Sequence, residues 1–393
     1  GERPVGPVVE KGMCMRRIPK ILAVFLALAL LAAACGSDDS SSDTTTGAGG
    51  DQVDQVFFIL DWVPKGQTSP FYLALDKGFW AKRGLAVQIT RGFGSGDTSA
   101  RIGLGEGDFG FAGVGAVMRT IAEGLPLVEI AAIASTAPTA VYADPAAGVA
   151  GDDPSTLVGL RGAVDAGDEN DQLFKAFSGS VGISYDEIDW QYVDGAGIGS
   201  IASGQADFVM DWITNLPEWW LADPPIEPDT YWVGRAVDIY GNGLITRPEL
   251  LESDRDLVTR FVEGALEGYQ YVLEGGVSAH NESIDALFKY NPELEEQPNA
   301  REFHLGNLEL FLTLMLTEDV RDDGIGYFDP EKKQRSLDFI NEYLLDSPLT
   351  LDQAFISDLI IDKGDVKIAD FDAARSSLET VLGRPNPLSP FLD

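Results

Sequence analysis

The chain has 393 residues, a hydrophobic content of 45% and a formal net charge of -35, from 63 acidic and 28 basic residues. This length and apolar content are typical of a folded protein of two domains and exclude wholesale disorder. So acidic a surface repels polyanions, which excludes nucleic acid as an expected partner. Both cysteines, Cys14 and Cys35, lie near the N-terminus, so we expect no disulfide and no thiolate metal site in the folded part.

The N-terminal segment, residues 1–35, is predicted to be a leader with a lipoprotein signal peptide. Met13 or Met15 is the expected start, and basic residues precede an apolar run at 21–31 that is too short to span a bilayer comfortably. Small residues then lead into Cys35, in a pattern that resembles the bacterial lipobox and predicts a lipidated cysteine. An ordinary Ala-x-Ala cleavage site is the alternative.

Residues 36–52 are rich in Ser, Asp, Thr and Gly and have no apolar periodicity. Such a composition predicts a flexible tether that holds a domain away from the membrane. We therefore expect folding to begin near Val53.

A strand-helix-strand-helix pattern opens the folded part. The apolar run 56–62 predicts a strand, Ser69 and the proline after it predict a helix start, and residues 86–90 predict a second strand. This alternation indicates a parallel α/β sheet, and ligands bind such sheets at the carboxyl ends of the strands. The loops 61–68 and 92–98 should therefore line a ligand site.

Four motifs appear in order along this stretch: LDWxPxG, SPFYxALDKGFWxKxGL, GSGDT and GEGDFGF. Together they resemble the solute-binding proteins of ABC transporters that take up aliphatic sulfonates, taurine, nitrate or the thiamine pyrimidine precursor. The similarity extends, more thinly, to about residue 275. It implies an extracytoplasmic monomer that works with ABC permease and ATPase subunits and contacts the membrane through its lipid anchor only.

The resemblance also implies an α/β fold of the periplasmic-binding-protein type (type II). Two α/β lobes would be joined by a two-crossing hinge, with C-terminal helices packed on the first lobe. The expected boundaries are 53–140 for the first part of lobe 1, 141–238 for lobe 2, and 239–393 for the return to lobe 1 and the C-terminal helices.

The predicted second lobe has the same order of elements as the first. Residues 162–165 predict a strand, and Gly167 and Asp168 then open a helix, forming a second cradle that should face the first. A short internal echo relates residues 105–111 to 204–210. The glycine-containing run 234–247 is predicted to be the second hinge strand. A helix is expected at 258–272 and a largely buried apolar helix at 303–316, with further amphipathic helices at 337–345 and 373–382.

Catalytic chemistry has little support in the sequence. The folded part contains only His280 and His304, both far along the chain from the predicted ligand loops, so a histidine-based triad or metal site is not expected there. The many adjacent carboxylates are interpreted as solvated. We expect no catalytic residue, no metal and no cofactor.

Ligand contacts are expected from aromatic and acidic side chains at strand ends. Trp62 and Trp212 end comparable strands and could sandwich a planar ring, with Phe71 nearby, although core packing is the alternative for each. Asp61 and Asp211, each directly before its tryptophan, could accept hydrogen bonds from an amino group; a solvated or capping carboxylate is equally compatible with the sequence.

A glycine-rich helix start could hold an anionic or polar group through backbone N–H groups. Lys65 or Arg161 would add positive charge, whereas an acidic residue in the cradle opposes an anion, so the ligand charge stays open. The cradle residues are Ser95, Gly96, Asp97 and Thr98.

Two functional hypotheses follow. The first is a lipid-anchored solute-binding protein that closes on a small molecule, with a heteroaromatic amine such as the thiamine pyrimidine precursor favoured over a sulfonate or taurine. The second is an enzyme, because the same fold resembles the thiamine pyrimidine synthase; that family's cysteine-rich motif and active-site histidine are missing here. A ligand-sensing lipoprotein without a transporter is a third, weaker hypothesis.

Overall fold

The computed structural model describes residues 53–165, 169–193, 197–356 and 358–391. The predicted leader, the tether, Cys35, and the predicted ligand residues Gly167 and Asp168 lie outside the described residues. Within them, none of the helices combines the length and the apolar character that crossing a bilayer requires.

In the part of the chain that the structure describes, twelve strands form two five-stranded sheets and one hairpin. They are β1 Asp54–Ile59, β2 Leu85–Thr90, β3 Phe109–Gly113, β4 Val128–Ala132, β5 Thr139–Ala143, β6 Arg161–Asp165, β7 Asp189–Val193, β8 Phe208–Trp212, β9 Asp229–Trp232, β10 Asn242–Thr246, β11 Thr380–Val381 and β12 Arg384–Pro385. The strand order is β2-β1-β3-β10-β4 in the first sheet and β7-β6-β8-β5-β9 in the second.

Both sheets follow one plan. In the first sheet, β1 pairs parallel with β2 and β3, and β10 pairs antiparallel with β3. In the second, β6 pairs parallel with β7 and β8, and β5 pairs antiparallel with β8. The fold is therefore α/β with two lobes, as predicted. Each lobe has a mixed sheet, because one strand, β10 in the first sheet and β5 in the second, runs antiparallel to its neighbours.

Fifteen helices cover the described part of the chain. They are α1 Ser69–Asp76, α2 Ser95–Gly103, α3 Val114–Ala122, α4 Glu169–Val181, α5 Ile198–Ala202, α6 Leu216–Trp220, α7 Val233–Val237, α8 Pro248–Ser253, α9 Arg255–Tyr290, α10 Pro292–Glu295, α11 Ala300–Met315, α12 Val320–Asp323, α13 Pro330–Tyr343, α14 Leu351–Ala354 and α15 Phe371–Ser377. Helix α9 is interrupted at Gly276, whose φ of 55° only glycine adopts readily.

The core of the first lobe is aromatic. Helix α1 packs along α9, and between them and β1 the ring of Phe58 meets the ring of Phe71 edge-on at 4.9 Å. The indole of Trp80 stacks on Phe261 at 5.5 Å, and its N–H donates to the Phe261 carbonyl at 2.8 Å. These contacts bury large side chains with their polar atoms satisfied, which fixes α9 against the sheet.

The chain crosses between the two sheets twice, from β4 to β5 and from β9 to β10. In the second crossing, the strand predicted over 234–247 is limited to β10. Its first part is instead helix α7 and a turn. Gly234 lies so close to the Ala137 carbonyl that an added Cβ would be 1.7 Å from that oxygen. The two crossings thus pack directly against each other.

The C-terminal helices pack on the first lobe, as predicted, and also contact the second. Helix α9 lies on α1, whereas α11 contacts the 3-10 turns at Gly66–Thr68 and Ile213–Asn215, one from each lobe. Helix α13 packs on α4, because Leu337 and Ile340 join the apolar cluster of the second lobe. The α9–α13 region therefore bridges the lobes.

Candidate functional site

The carboxyl ends of β1 and β8 bring the predicted ligand loop 61–68 next to the turn that follows Asp211 and Trp212, two predicted ligand contacts. Asp61 and Trp62 follow β1, and Asp211 and Trp212 end β8. The ammonium group of Lys65, in the loop after β1, donates to Asn215 Oδ1, in the turn after β8, at 3.0 Å. The predicted loop of the first lobe is therefore in direct contact with a turn of the second lobe.

Further hydrogen bonds join these loops to α11. Thr214 Oγ1 donates to Gln67 Oε1 at 3.0 Å, and the Gln67 backbone N–H donates to Asn307 Oδ1 at 2.7 Å. Asn307 Nδ2 in turn donates to the Thr214 carbonyl at 2.9 Å and to Asn215 Oδ1 at 3.1 Å. We call Lys65, Gln67, Thr214, Asn215 and Asn307 the interlobe polar cluster.

Sequence reasoning identified only Lys65 of this cluster. Gln67, Thr214 and Asn215 lie in short irregular turns, where no periodicity marks a side chain as buried. Asn307 lies within an apolar helix that was expected to be buried, and a lone amide inside such a run was the only available signal. Because Asn307 is fully buried, its three hydrogen bonds hold the two loops in a fixed relation.

Asp61 is buried, with 2% of its surface exposed, and Asn242 Nδ2 of β10 donates to its Oδ2 at 3.0 Å. Burial raises the pKa of Asp61 to about 7, although hydrogen bonds from backbone N–H groups, the charge of Lys65 and the Asn242 bond oppose the shift. This carboxyl group therefore links the first ligand loop to the returning strand β10.

Asp211 has a comparable environment in the second lobe. Its Oδ1 accepts hydrogen bonds from Asn215 Nδ2 and from the Trp212 backbone N–H, both at 2.7 Å. Burial raises the pKa of Asp211 to about 6, and Lys65 again opposes the shift. One lysine thus lies within electrostatic reach of both acidic residues that precede the two tryptophans.

The indole of Trp62 is 44% exposed, and Trp212 is half-buried. Trp62 lies beside two further side chains that the sequence analysis did not identify. The guanidinium carbon of Arg91 lies 5.8 Å from the centre of the Trp62 ring and 4.3 Å from that of Phe93, which is 63% exposed. The first lobe therefore presents two exposed aromatic rings with a cation lying over them.

Phe71, predicted to contact the ligand, is instead a core residue with no exposed surface. Its ring meets Phe58, Phe111 and Tyr269 edge-on at 4.9 to 5.4 Å. The side chain points from α1 toward the sheet, because helical periodicity places it on the buried face. Phe71 thus packs against β1, and its predicted role as a ligand contact is corrected to a packing role.

The predicted cradle at the start of α2 uses its side chains internally. Ser95 Oγ accepts a hydrogen bond from the Gly113 N–H at 3.0 Å, and Thr98 Oγ1 donates to the Leu60 carbonyl at 2.7 Å. Both side chains are buried, so the prediction that they contact a ligand is corrected. Their role is to connect the start of α2 to β1 and β3. Gly96 and Asp97 are part of the first turn of α2, and Asp97 pairs with Arg101 at 3.7 Å.

Two glutamates approach the first lobe's bare backbone where the lobes meet. An added Cβ at Gly113 would lie 1.9 Å from Glu169 Oε1, and one at Gly243 would lie 2.4 Å from Glu129 Oε2. Glu129 has 1% of its surface exposed; burial first, and then the charge of Glu169, raise its pKa well above the usual range. At Gly243 the added Cβ would also lie 2.8 Å from the Ala131 carbonyl oxygen, so the backbone there favours glycine, whereas at Gly113 the Glu169 side chain would have to move.

His304 lies close to the ligand loops in space although it is distant in sequence. An added Cβ at Gly66 would lie 1.8 Å from the His304 carbonyl oxygen. Burial, and secondarily Lys65, lower the pKa of His304 to about 4, so the imidazole is neutral near pH 7. Across the described residues, His, Cys, Asp and Glu side chains form no group of three suited to hold a metal.

A cavity of about 660 Å³ lies outside the predicted site. It is bounded by the edge strand β9, by α7 and by the chain after β12, and its lining includes Tyr231, Trp232 and Leu388. Its volume is in the range of small-molecule pockets. It is therefore the natural alternative location for a ligand.

The fold is shared with proteins of known structure. The periplasmic aliphatic sulphonate-binding protein SsuA from Escherichia coli superposes with a TM-score of 0.55 at 13% identity, covering 80% of this chain and 95% of that one. The periplasmic nitrate-binding protein NrtA from Synechocystis PCC 6803 gives 0.50 at 14% identity, covering 84% and 99%. Two lobes joined by two crossings thus place the chain in the periplasmic-binding-protein fold.

The family is shown by the sequence. The family described as NMT1/THI5 like matches residues 65–277, more than half of the chain, and the chain belongs to it. The riboflavin-binding protein RibY from Chloroflexus aurantiacus is 22% identical over 321 residues, covering 78% of this chain and 86% of RibY. The formylaminopyrimidine-binding protein from Halalkalibacterium halodurans is 24% identical over 349 residues, covering 86% and 98%.

A shorter similarity reaches an enzyme. The 4-amino-5-hydroxymethyl-2-methylpyrimidine phosphate synthase THI11 from Saccharomyces cerevisiae is 29% identical over 80 residues, which cover 20% of this chain and 24% of the enzyme. The relatives matched over most of their length are binding proteins.

Proposed function

We propose that this chain is the extracytoplasmic solute-binding lipoprotein of an ABC importer and that its ligand is a planar nitrogen heteroaromatic molecule. Cys35 carries the lipid anchor, residues 36–52 are the tether, and the folded part acts as a monomer that delivers its ligand to a permease and an ATPase. The boundaries 53–140, 141–238 and 239–393 describe the two lobes.

The observation that carries the ligand assignment is the pair of tryptophans at corresponding strand ends of the two lobes. Trp62 is 44% exposed and Trp212 is half-buried, so ring surface is available on both sides of the cleft. A planar ring stacked on either gains apolar burial together with aromatic contact. RibY and the formylaminopyrimidine-binding protein, by their names, bind molecules of this kind.

Polar selectivity comes from the residues beside the tryptophans. The Asp61 carboxyl has a pKa of about 7 and that of Asp211 about 6, so near neutral pH these groups exchange between accepting and donating forms. Such groups match the ring nitrogens and amino substituents of a heteroaromatic ligand. Lys65 and the first turn of α2, with Gly96 and Asp97, complete the proposed lining.

Binding and closure are linked in this proposal. A ligand that contacts both lobes stabilises the closed arrangement, because only there are both sets of contacts made. The chain itself breaks no covalent bond of the ligand. The enzyme hypothesis is disfavoured because the synthase similarity covers only 20% of the chain.

A thermal-shift panel tests the proposal. The purified protein is screened against pyrimidine amines, thiamine, riboflavin, taurine, alkanesulfonates and nitrate. A ligand at about 100 times its Kd stabilises the folded state by about 2.7 kcal/mol. We expect a heteroaromatic compound to give the largest shift, and Trp62→Ala and Trp212→Ala to abolish it.

Tyr290→Ala is the matched control, because this partly exposed aromatic side chain lies at the end of α9. It should leave the shift unchanged. A shift only with taurine or a sulfonate would replace the heteroaromatic ligand by the alternative, and no shift with any compound would contradict the proposal.

A further inference from the structure

The distribution of ion pairs points to the charge of the ligand, an inference that rests on the proposed function. Most lysine and arginine side chains in the described residues pair with carboxylates, as expected in a chain with a net charge of -35. Arg83, for example, pairs with Glu263 and Glu267, and Arg260 pairs with Asp54 and Asp256. In the described residues, Arg247 and Arg255 also lack a carboxylate partner, but their terminal amino groups donate to backbone carbonyls. An arginine whose terminal amino groups have neither kind of partner is therefore unusual in this part of the chain.

Arg91 is such an arginine. Across the ranges that the structure describes, no carboxylate oxygen lies within 4.0 Å of its guanidinium group. Its Nε–H donates to the Gly92 carbonyl at 3.1 Å, which orients the group. A guanidinium has five donor hydrogens, so its two terminal amino groups are left to face outward in the planar fork that suits carboxylate, sulfonate or phosphate.

The position of Arg91 connects it to the proposed ligand surface. The residue directly follows β2, so it lies at the same edge of the first sheet as Trp62. Its guanidinium carbon is 5.8 Å from the centre of the Trp62 ring and 4.3 Å from that of Phe93. A short substituent on a ring stacked over Trp62 can therefore reach the guanidinium.

Nearby acidic groups do not cancel this charge. Asp97, the acidic residue in the first turn of α2, pairs with Arg101 at 3.7 Å. Asp61 Oδ2 accepts a hydrogen bond from Asn242 Nδ2 at 3.0 Å and forms no ion pair with Arg91. Lys65, the other cation of the ligand loops, hydrogen-bonds to the neutral amide of Asn215. Arg91 thus stands at the ligand surface without a bonded carboxylate, in a molecule that otherwise repels anions, whereas the charge of Lys65 acts on Asp61 and Asp211.

We propose that the ligand carries an anionic group and that Arg91 binds it while the aromatic ring of the same ligand covers Trp62. Carboxylate, sulfonate and phosphate share the chemistry that the guanidinium recognises. Arg91 would then be a specificity-determining residue that selects the charged form of a heteroaromatic molecule over its neutral parent.

Matched ligand pairs test this proposal by titration calorimetry on the full chain in detergent. One pair is riboflavin and its 5′-phosphate; the other is 4-amino-5-hydroxymethyl-2-methylpyrimidine and its phosphate. Heteroaromatic carboxylates and sulfonates form the remaining arms. We expect the anionic member of at least one pair to bind the wild type at least tenfold more tightly, and this preference to weaken in 0.5 M salt.

Arg91→Ala should remove the preference, so that charged and neutral members bind alike, and Arg91→Lys should keep part of it. Arg301→Ala is the control; it deletes a cation that is already paired with Asp285 and lies outside the proposed ligand lining, and the preference should persist. Equal affinity for charged and neutral members in the wild type, or an unchanged preference in Arg91→Ala, overturns this inference and leaves the proposed function standing. No binding of any member overturns both.

Discussion

Replacing Asn307 with alanine should separate the role of the interlobe polar cluster from general stability. The substitution removes three hydrogen bonds and leaves the Gln67 N–H, the Thr214 carbonyl and Asn215 Oδ1 without that partner in a buried environment. Each bond contributes about 1 kcal/mol net, and an unsatisfied buried group costs about 1 to 3 kcal/mol. We therefore expect the free energy of unfolding to fall by about 3 kcal/mol.

The same substitution should weaken ligand binding, because the cluster fixes the loop after β1 relative to the loop after β8. We expect at least a tenfold increase in Kd, which is about 1.4 kcal/mol. Urea unfolding followed by circular dichroism gives the stability change, and titration calorimetry at a temperature where the variant is folded gives the affinity.

Asn386→Ala is the matched control. Asn386 is also buried and also makes three hydrogen bonds, donating to Thr313 Oγ1 at 2.8 Å and to the Leu378 carbonyl at 2.7 Å, and accepting from the Leu388 N–H at 2.9 Å. Its stability loss should be similar, but its ligand affinity should match the wild type. The reasoning is refuted if Asn386→Ala weakens binding as much as Asn307→Ala, or if Asn307→Ala costs less than about 1 kcal/mol.

Three further predictions concern pH, packing and the anchor. Burial raises the pKa of Asp61 to about 7 and that of Asp211 to about 6, so the stability that protonation of these groups confers is lost as the pH rises through these values. Lowering the pH from 8 to 6 should therefore raise the free energy of unfolding by about 1 to 2 kcal/mol. Urea titrations should show this slope in the wild type, and Asp61→Asn should remove most of it. Gly66→Ala should lower the melting temperature by well over 5 °C, since its Cβ would lie 1.8 Å from the His304 carbonyl oxygen, and an unchanged melting temperature would contradict this packing. Cys35→Ser should release the protein from the membrane fraction on immunoblots, whereas retention there would contradict the lipid anchor.

Much of the first lobe could be predicted because its signals are local. The apolar run before Trp62 and the Ser-Pro step at Ser69 determine β1 and the start of α1 from a few adjacent residues. Periodicity indicated that Phe71 lies on the sheet-facing side of α1, but its place at the start of the helix, beside the predicted ligand loop, still favoured a ligand contact. The structure decides this through Tyr269 and Phe111, which meet its ring from other segments.

The interlobe polar cluster could not be predicted because its members are distant in sequence. The hydrogen bond between Gln67 and Asn307 joins positions 240 residues apart, and that between Gln67 and Thr214 joins positions 147 apart. No local pattern encodes such a meeting. The same reason applies to the cradle residue Ser95. The local sequence does not reveal that its hydroxyl accepts a hydrogen bond from the Gly113 N–H at the end of β3, so a ligand contact was expected instead.

The C-terminal helices were predicted to pack on the first lobe, and the structure shows them packed on both lobes. Helix α13 was expected from amphipathic spacing, which indicates a buried face without naming the surface that buries it. That surface is α4 of the second lobe, through Leu337 and Ile340. Periodicity therefore predicted helix α13, but only the tertiary structure shows that this helix contacts the second lobe.

Hydroxyl-radical footprinting of the tryptophans, with and without a saturating heteroaromatic ligand, tests the central claim most directly. A ligand held between the lobes should protect Trp62 and Trp212 together and leave Tyr231 and Trp232, which line the separate 660 Å³ cavity, unchanged. Protection of Tyr231 and Trp232, with Trp62 and Trp212 still reactive, would place the ligand in that cavity and contradict the account.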